Sequence, residues 1–297
     1  MGLIRVPIFI YSQVGDSMNI NWYPGHMKKT KESMKRSLPL IDIIYEVLDA
    51  RVPISSKNPD VDNIIGNKPR LIILNKADLS NEIANKEWER FFLNKGIPTI
   101  FVNSLTGSGL NQIVNKSNTL IKDKMNKLKD KGIKNRPIRA MILGVPNVGK
   151  STLINNLSGR KGAKTGNKPG VTKGNQWIKI KGNLELLDTP GILWPKLDNE
   201  ELALNLAFTG AIKDELLDIE DLAFKLLEKL IKLCPVLIEK RYNIIVRNHS
   251  TYEIMESIAM NRGCILKGGE IDYTRISNTI IDDFRKGRIG KITLELP

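Results

Sequence analysis

Short apolar runs of strand length alternate with segments of helical periodicity over the first two thirds of the chain. Four of these runs predict buried strands, at Ile41–Leu48, Leu71–Leu74, Thr99–Val102 and Ile138–Leu143. Apolar residues at helical spacing fill the intervals, most clearly over Asn81–Asn94 and Leu110–Leu128. A closely spaced pair of runs, Trp177–Ile180 and Leu184–Leu187, predicts a hairpin. Strands that alternate with helices indicate an α/β fold built on a parallel sheet.

Beyond Pro195 the hydrophobic pattern predicts helices only. They are expected over Glu200–Phe208, Ile219–Cys234, Ser250–Gly263 and Ile276–Phe284. Ser250-Thr-Tyr-Glu253 is a capping box that opens the third helix, and Pro235 is expected to stop the second. We therefore expect an extension over residues 1–18, an α/β domain over residues 19–197 and a small all-helical domain over residues 198–297.

The strongest chemical signal is Gly144-Val-Pro-Asn-Val-Gly-Lys-Ser151, which fits the phosphate-binding pattern G-x-x-x-x-G-K-[ST]. A predicted strand precedes it and the apolar-periodic stretch Thr152–Leu157 follows it, which is the strand–loop–helix context that such a loop requires. We expect Lys150 to reach the β- and γ-phosphates and to assist catalysis, and the Ser151 hydroxyl to bind Mg²⁺. The expected nucleotide contacts in this loop are Asn147, Val148, Gly149, Lys150, Ser151 and Thr152.

A second motif, Asn75-Lys-Ala-Asp78, follows a predicted strand and is typical of a guanine-binding loop. The Asp78 carboxylate can accept hydrogen bonds from guanine N1 and N2, a donor pair that adenine lacks. The Lys76 stem can lie over the base and Asn75 can tie neighbouring loops. We expect Ser104 and Leu105 to supply a backbone N–H to the guanine oxygen.

A third motif, Asp188-Thr-Pro-Gly191, follows the second hairpin strand. Asp188 is expected to anchor Mg²⁺ and the Gly191 N–H to meet the γ-phosphate. Thr172 is the candidate switch threonine that closes on Mg²⁺, with Thr165 as its rival; both also fit ordinary loop hydroxyls. The predicted metal site is therefore Ser151, Thr172 and Asp188.

The charge of the chain is strongly uneven. The formal net charge is +14, and residues 136–197 hold 11 basic and 2 acidic side chains. The segment Arg160–Lys181 alone holds seven basic residues and no acid, which favours a polyanion partner such as RNA. The longest apolar runs fall far short of the roughly 20 residues of a membrane helix, and the two cysteines show no metal-ligand spacing. We expect a cytoplasmic monomer with no membrane partner.

The guanine-binding motif precedes the phosphate loop, whereas ordinary small GTPases place it after the loop, so the motif set is circularly permuted. In this order the chain resembles the bacterial ribosome biogenesis GTPase A family from about Asn19 onward. The motifs that carry the resemblance are Trp22-Tyr-Pro-Gly-His-Met, Asp49-Ala-Arg, Asn75-Lys-Ala-Asp, Gly144-Val-Pro-Asn-Val-Gly-Lys-Ser, Asp188-Thr-Pro-Gly and Leu206-Ala-Phe-Thr-Gly-Ala-Ile. The resemblance implies a circularly permuted P-loop GTPase domain with a small C-terminal all-helical domain, acting with GTP and Mg²⁺ late in large-subunit assembly and released on hydrolysis.

Water activation is not explained by the Asp188 motif, because Ile192 occupies the position where Ras-like enzymes carry Gln. His26 follows a tight turn and can be held near the γ-phosphate, or it can simply pack or contact RNA. The resemblance implies the catalytic role. It likewise implies that Asn147 helps to hold K⁺ against the phosphates, although an ordinary turn asparagine explains this residue equally well.

Two other functions fit parts of the sequence. One is a GTP-regulated module that acts on a non-ribosomal protein or a tRNA partner, and the other is a P-loop ATPase or kinase, against which the guanine-binding motif argues. Because the helical part is mildly acidic, rRNA contacts there should be few and directed. The candidates are Lys213, Lys225, Arg262 and Arg275.

Overall fold

The fold is that of a computed structural model, which describes residues 32–133, 135–159, 176–180, 182–191, 193 and 199–297. Three residues with expected roles, His26, Thr165 and Thr172, lie outside the described residues. The same holds for most of the basic segment Arg160–Lys181, including the predicted switch.

One sheet of six strands is formed by the described residues. The strands are β1 Ile43–Asp49, β2 Arg70–Asn75, β3 Thr99–Val102, β4 Ile138–Leu143, β5 Gln176–Ile180 and β6 Leu184–Asp188. Their order in the sheet is β3-β2-β1-β4-β6-β5. Every neighbouring pair is parallel except β5 and β6, which form the predicted antiparallel hairpin at one edge. The predicted α/β class is confirmed.

The sheet is covered on both faces, which explains the nearly continuous apolar run of β1. Ile43, Tyr45 and Val47 point into one hydrophobic cluster, and Ile44 and Leu48 point into two clusters on the opposite face. Helices α3 (Leu110–Leu120) and α5 (Lys150–Ser158) pack on the first face. Helices α1 (Asp60–Ile65) and α2 (Glu82–Asn94) pack on the second.

Two helical predictions in this part need correction. The single helix expected over Leu110–Leu128 is two helices, α3 and α4 (Lys122–Asp130), which meet at Ile121. Ile121 leaves helical geometry with φ −113° and ψ 13°, yet its side chain stays buried and in phase, so the apolar period shows no break. Helix α1 was not predicted, because six residues are too short for a clear helical period.

The region after residue 199 is helical, as predicted. It contains α6 Glu200–Phe208, α7 Ile219–Leu233, α8 Pro235–Tyr242, α9 Thr251–Arg262 and α10 Tyr273–Arg285, of which α8 was not predicted. The Ser250–Glu253 capping box is present in both directions at the start of α9. Pro235 ends α7 as expected, but it also begins α8, because proline is tolerated in a first helical turn.

The helical region shares its core with the sheet. Leu206, Leu226 and Ile280 belong to the same buried cluster as Val145 and Val148 next to β4. The C-terminal helices therefore pack directly against the sheet domain on the side where the phosphate loop begins. No helix in the described part of the chain has both the length and the apolar character needed to cross a bilayer.

Candidate functional site: a nucleotide-binding edge of the sheet

The sequence motifs meet at one edge of the sheet. Asp49, Asn75 and Asp188 are the last residues of β1, β2 and β6, and the phosphate loop follows the end of β4. The carboxyl ends of parallel strands are where open α/β sheets bind ligands. The permuted order of the motifs along the chain therefore leaves them adjacent in space.

Asn75 joins three loops through one side-chain amide. Its Nδ2 donates to the carbonyl of Val148 at 2.7 Å, and its Oδ1 accepts from the backbone N of Ser104 at 3.1 Å and from the Ser104 hydroxyl at 2.7 Å. Asn75 and Ser104 are both buried. Gly149 is required beside this amide, because a Cβ there would lie 2.3 Å from Asn75 Nδ2.

Lys76 forms the second link between the guanine-binding loop and the phosphate loop. Its Nζ donates to the carbonyl of Asn147 at 2.7 Å and pairs with Asp49 Oδ2 at 3.0 Å. Lys76 adopts a left-handed backbone conformation with φ 59°, which turns the chain toward Asp78. The amine is thus fixed at both partners, and Asp78 lies exposed two residues farther along the same turn.

Asp49 and Arg51 form a buried ion pair behind Lys76. Arg51 Nε and Nη2 donate to the two carboxylate oxygens of Asp49 at 2.9 and 2.8 Å, and both residues are 1% exposed. Burial by itself would raise the pKa of Asp49, but Arg51 and Lys76 together hold that pKa well below its usual value. The motif Asp49-Ala-Arg51 carries these two opposite charges at the carboxyl end of the mostly apolar strand β1, and their pairing was not predicted.

The phosphate loop has the expected local geometry. Gly144 passes so close to β1 that a Cβ would lie 2.4 Å from the Val47 carbonyl, and Gly149 is left-handed at φ 95° where α5 begins. Lys150 Nζ donates to the carbonyls of Gly144 and Val145, each at 2.9 Å. Burial lowers the pKa of Lys150 to about 8, against the opposing effect of the Asp188 charge. A lysine whose amine is desolvated and rests on carbonyls is available for an anionic phosphate.

The Asp188 segment packs onto the phosphate loop. Thr189 donates its hydroxyl to the carbonyl of Ile142 at 2.6 Å, which fixes the segment against β4. A Cβ on Gly191 would lie 2.9 Å from Pro146 and 3.0 Å from Lys150 Nζ, so glycine is needed at this contact. Asp188 itself is buried at the end of β6.

The loop after β3 lies against α5, through a residue that sequence reasoning missed. Asn156 Nδ2 donates to the carbonyl of Ser104 at 2.6 Å and so positions the backbone of Ser104 and Leu105. The Leu105 side chain is exposed, which agrees with a role for its backbone only. Ser151 and Thr152 lie in the first turn of α5, half-buried beside Lys150.

Asn147 connects the phosphate loop to the C-terminal helices. Its Nδ2 donates to the carbonyl of Thr209 at 3.1 Å, and the adjacent Gly210 leaves no room for a Cβ, which would lie 2.9 Å from Asn147 Nδ2. Arg285 supports the same turn by donating to the carbonyls of Ala207 and Phe208 at 2.9 and 3.1 Å. The motif Leu206–Ile212 thus forms the turn that binds Asn147 of the phosphate loop, a role that was not evident from the sequence.

The four candidate RNA contacts in the helical region differ in environment. Lys225 pairs with Asp221 at 3.0 Å and Glu200 at 3.6 Å, which weakens the case for it. Arg262 ends α9, and Arg275 donates to the carbonyl of the next residue, Gly263, at 3.2 Å, so these two arginines lie at the same end of that helix. Lys213 is exposed before a 3₁₀ turn over Asp214–Leu216.

Taken together, the described residues join the phosphate loop to the turn that carries the exposed carboxylate of Asp78. We call this connection the clamp. Two side chains, Asn75 and Lys76, hold the loops together through the carbonyls of Val148 and Asn147. Such an arrangement suits a purine nucleotide whose phosphates lie at the start of α5.

Comparisons with known proteins agree with this geometry. Residues 139–249 match a family model described as 50S ribosome-binding GTPase. The chain is 47% identical over 280 residues to the ribosome biogenesis GTPase A of Bacillus licheniformis, which covers 94% of this chain and 99% of that protein. The GDP-bound structure of Thermotoga maritima YlqF is 28% identical, with a TM-score of 0.66, and covers 89% of this chain and 99% of that one. Its GNP-bound structure gives a TM-score of 0.62, with 91% and 98% covered.

Proposed function

Since this chain belongs to the ribosome biogenesis GTPase A family, whose members are GTP hydrolases, we propose that it binds the large ribosomal subunit precursor, promotes a late step of its assembly and leaves on GTP hydrolysis. The observation that supports a nucleotide-dependent role is the clamp of Asn75 and Lys76 on the phosphate loop. It brings the segment that ends in Asp78 to the segment that ends in Lys150.

In this proposal Asp78 reads guanine N1 and N2, the Ser104–Leu105 backbone meets the guanine oxygen, and residues 147–152 hold the phosphates. Lys150 leaves the carbonyls of Gly144 and Val145 for the β- and γ-phosphates. The Gly191 N–H, held against Pro146, meets the γ-phosphate. Competition of ATP and GTP for the site tests base choice, and an ATP affinity equal to that for GTP would contradict it.

The residues fit a magnesium ion. The charge of Asp188 acts on Lys150, so a carboxylate lies near the phosphate site, and the Ser151 hydroxyl is on the first turn of α5. Carboxylate and hydroxyl oxygens are the hard ligands that Mg²⁺ prefers. Ser151 and Asp188, with Thr172 as the proposed switch residue, would hold the ion, which supplies charge neutralisation at the β- and γ-phosphates when bound.

Two finer roles remain proposals from the family resemblance. His26 is proposed to position the attacking water; His26→Ala should then abolish hydrolysis while GTP affinity is kept, and unchanged hydrolysis would contradict the role. Asn147 is proposed to help hold K⁺, since the oxygen of its amide is a suitable ligand. Replacing KCl by NaCl at constant ionic strength should slow turnover, and equal rates would contradict this role.

The ribosomal partner is tested by co-sedimentation with purified large subunits and their precursors. The basic segment Arg160–Lys181 predicts binding that weakens steeply between low and high salt, and a hydrolysis rate that rises when particles are added. Equal hydrolysis with and without particles, together with no sedimentation at low salt, would favour the alternative of a GTP-regulated module for a non-ribosomal protein or tRNA.

We also propose that the protein is a cytoplasmic monomer. In this proposal an extension over residues 1–18 precedes the GTPase domain, which covers residues 19–197. The helical domain over residues 198–297 contacts RNA. Arg262 and Arg275 at the end of α9 are the better-supported contacts. Replacing both by Gln should weaken particle binding and reduce its salt dependence.

A further inference from the structure

A short segment after α10, which has no regular secondary structure, contacts the loops on either side of the proposed guanine-binding turn. We define the strap as residues Lys291–Glu295. Ile292 and Leu294 are buried, and the segment makes contacts with residues more than 200 positions earlier in the chain. The strap has no part in the nucleotide contacts proposed above.

One set of strap contacts holds the guanine-binding loop from its far side. Ile292 N donates to the carbonyl of Leu79 at 2.9 Å, and Leu79 directly follows Asp78. Asn81 N donates to the Thr293 hydroxyl at 3.0 Å. The residues on the C-terminal side of Asp78 are therefore fixed by the strap.

A second set of strap contacts holds the loop after β1. Leu294 N donates to the carbonyl of Arg51 at 2.8 Å. The Glu295 carboxylate accepts from the backbone N of Ser55 at 3.0 Å and from the Ser55 hydroxyl at 2.7 Å. Because Arg51 holds Asp49, and Asp49 holds Lys76, this set fixes the residues on the N-terminal side of Asp78.

The strap thus fastens both flanks of a residue that is itself exposed. Asp78 must present two carboxylate oxygens to two adjacent guanine donors, so a small rotation of its loop loses one of the two hydrogen bonds. We propose that the strap is a positioning element for guanine specificity, which holds Asp78 at the angle that reads both N1–H and the 2-amino group. This inference rests on the proposed guanine-reading role of Asp78.

The turn that leads into the strap gives a sharp way to disturb the loop. Gly287 is left-handed at φ 68°, and a Cβ there would lie 2.6 Å from Leu79 Cδ2. Gly263 has nearly the same φ, 65°, with no atom within 4 Å of its Cβ position. Gly287→Ala and Gly263→Ala therefore share the backbone strain, but only the first brings a methyl group against the side chain of Leu79, the residue after Asp78.

The test measures the affinity of the full chain for GDP and for inosine diphosphate, which lacks the 2-amino group. The parent should bind GDP about 10- to 100-fold more tightly, since a hydrogen bond to a charged acceptor is lost. Asp78→Asn should remove most of this ratio. Gly287→Ala and Thr293→Val should lower the ratio at least threefold, because GDP loses affinity and inosine diphosphate hardly does. The ratio should stay unchanged in Gly263→Ala and in Thr279→Val, which removes an exposed hydroxyl on α10, and Thr293→Ser should restore it.

The outcomes separate the two levels of the hypothesis. A parent chain that binds both nucleotides equally overturns the guanine-reading role of Asp78 and this inference with it. A parent that discriminates through Asp78, with unchanged ratios in Gly287→Ala and Thr293→Val, overturns the strap alone. Equal losses for both nucleotides in these variants also overturn it, since that is the result of general destabilisation.

Discussion

The buried lysine of the phosphate loop shows how one residue links solvation to binding. Lys150 is 7% exposed, and burial lowers its pKa to about 8 from the 10.5 of a free lysine. Between these two pH values the unfolded chain binds more protons than the folded chain. The free-energy cost of burying Lys150 therefore decreases, and the free energy of unfolding increases, as the pH rises through that window. A bound phosphate should raise the pKa of Lys150 again, because its negative charge stabilises the charged amine.

This reversal predicts proton uptake when GDP binds. Above pH 8 the affinity for GDP should fall, by up to tenfold per pH unit, because neutral Lys150 must gain a proton from solvent. Calorimetry of GDP binding at pH 8.5 in buffers of different ionisation enthalpy should detect the uptake. Lys150→Met provides the control, since ionisation of the nucleotide itself is common to both proteins. The same proton uptake in Lys150→Met would contradict the assignment to this lysine.

Asn75 is the second residue whose single side chain governs the site. Asn75→Asp keeps the shape but places a buried carboxylate against the Val148 carbonyl, where the amide donated. We expect a loss of about 3 kcal/mol in the free energy of unfolding and a GDP affinity more than tenfold weaker. Urea denaturation and nucleotide titration measure the two effects.

A matched substitution is available for Asn75. Asn278 also donates its amide to a backbone carbonyl, that of Thr274 at 2.8 Å, but on the exposed side of α10. Asn278→Asp should change stability by less than about 0.5 kcal/mol. If Asn75→Asp changes the free energy of unfolding as little as Asn278→Asp does, the hydrogen bonds of Asn75 between the three loops do not stabilise the protein.

At the scale of elements, the two ends of α5 carry glycines with different roles. Gly149 and Gly159 flank the helix and are both left-handed, at φ 95° and 65°. A Cβ on Gly149 would collide with Asn75, whereas the Cβ position of Gly159 is open. The two glycines share a backbone conformation, and only the packed structure distinguishes them.

Gly149→Ala should therefore abolish measurable GTP binding, with at least a 100-fold loss of affinity, because it separates the phosphate loop from the guanine-binding loop. Gly159→Ala should cost about 1 kcal/mol of stability and leave affinity within twofold. Equilibrium binding of a fluorescent GTP analogue compares the two. Similar affinities in both variants would refute the role of the close contact.

The end of β1 supplies a prediction about buried charge. Arg51→Met leaves Asp49 with Lys76 as its remaining ion-pair partner and should lower stability by about 3–5 kcal/mol at pH 7. Because the pKa of Asp49 is depressed in the parent, its contribution is present above pH 4 and is lost as the pH falls. The difference between parent and variant should accordingly shrink below pH 4, as denaturation between pH 2 and 7 can show. Lys232→Met, which breaks an exposed pair with Glu228, should have little effect at any pH.

At the scale of the whole molecule, the helical region closes onto the nucleotide site. Asn147 binds the carbonyl of Thr209, and Arg285 stabilises the same turn while its own carbonyl lies 3.4 Å from Arg51 Nη1. The contacts form a path from the phosphate loop, through α6 and α10, to the ion pair behind the guanine-binding loop. A nucleotide and the helical region are thereby placed to influence each other.

Arg285→Met should loosen this closure. We expect faster amide hydrogen exchange in residues 144–149 and an affinity for GDP about threefold weaker, since the carbonyls of Ala207 and Phe208 lose a charged donor. Lys286→Met, which removes an exposed pair with Asp282, is the control. Unchanged exchange in the phosphate loop of Arg285→Met would show that the turn is held by other contacts.

The sequence by itself determined the strands, most of the helices, the α/β class and the permuted set of nucleotide motifs. These depend on periodicity and on short spacings, which are properties of neighbouring residues. The break at Ile121 escaped because it leaves the local apolar period intact, and helix α1 escaped because six residues are too short to show a clear period.

The tertiary structure alone decided which partners the motif residues have. Asn75 meets Val148, Asn147 meets Thr209 and Leu79 meets Ile292, across 73, 62 and more than 200 positions. Such contacts form only when the common core packs the C-terminal helices onto the sheet. The identity of each partner depends on this packing and not on the residues that neighbour it in sequence. A hydrogen bond between distant segments has no periodic signature along the chain, and therefore it emerges only from the packed fold.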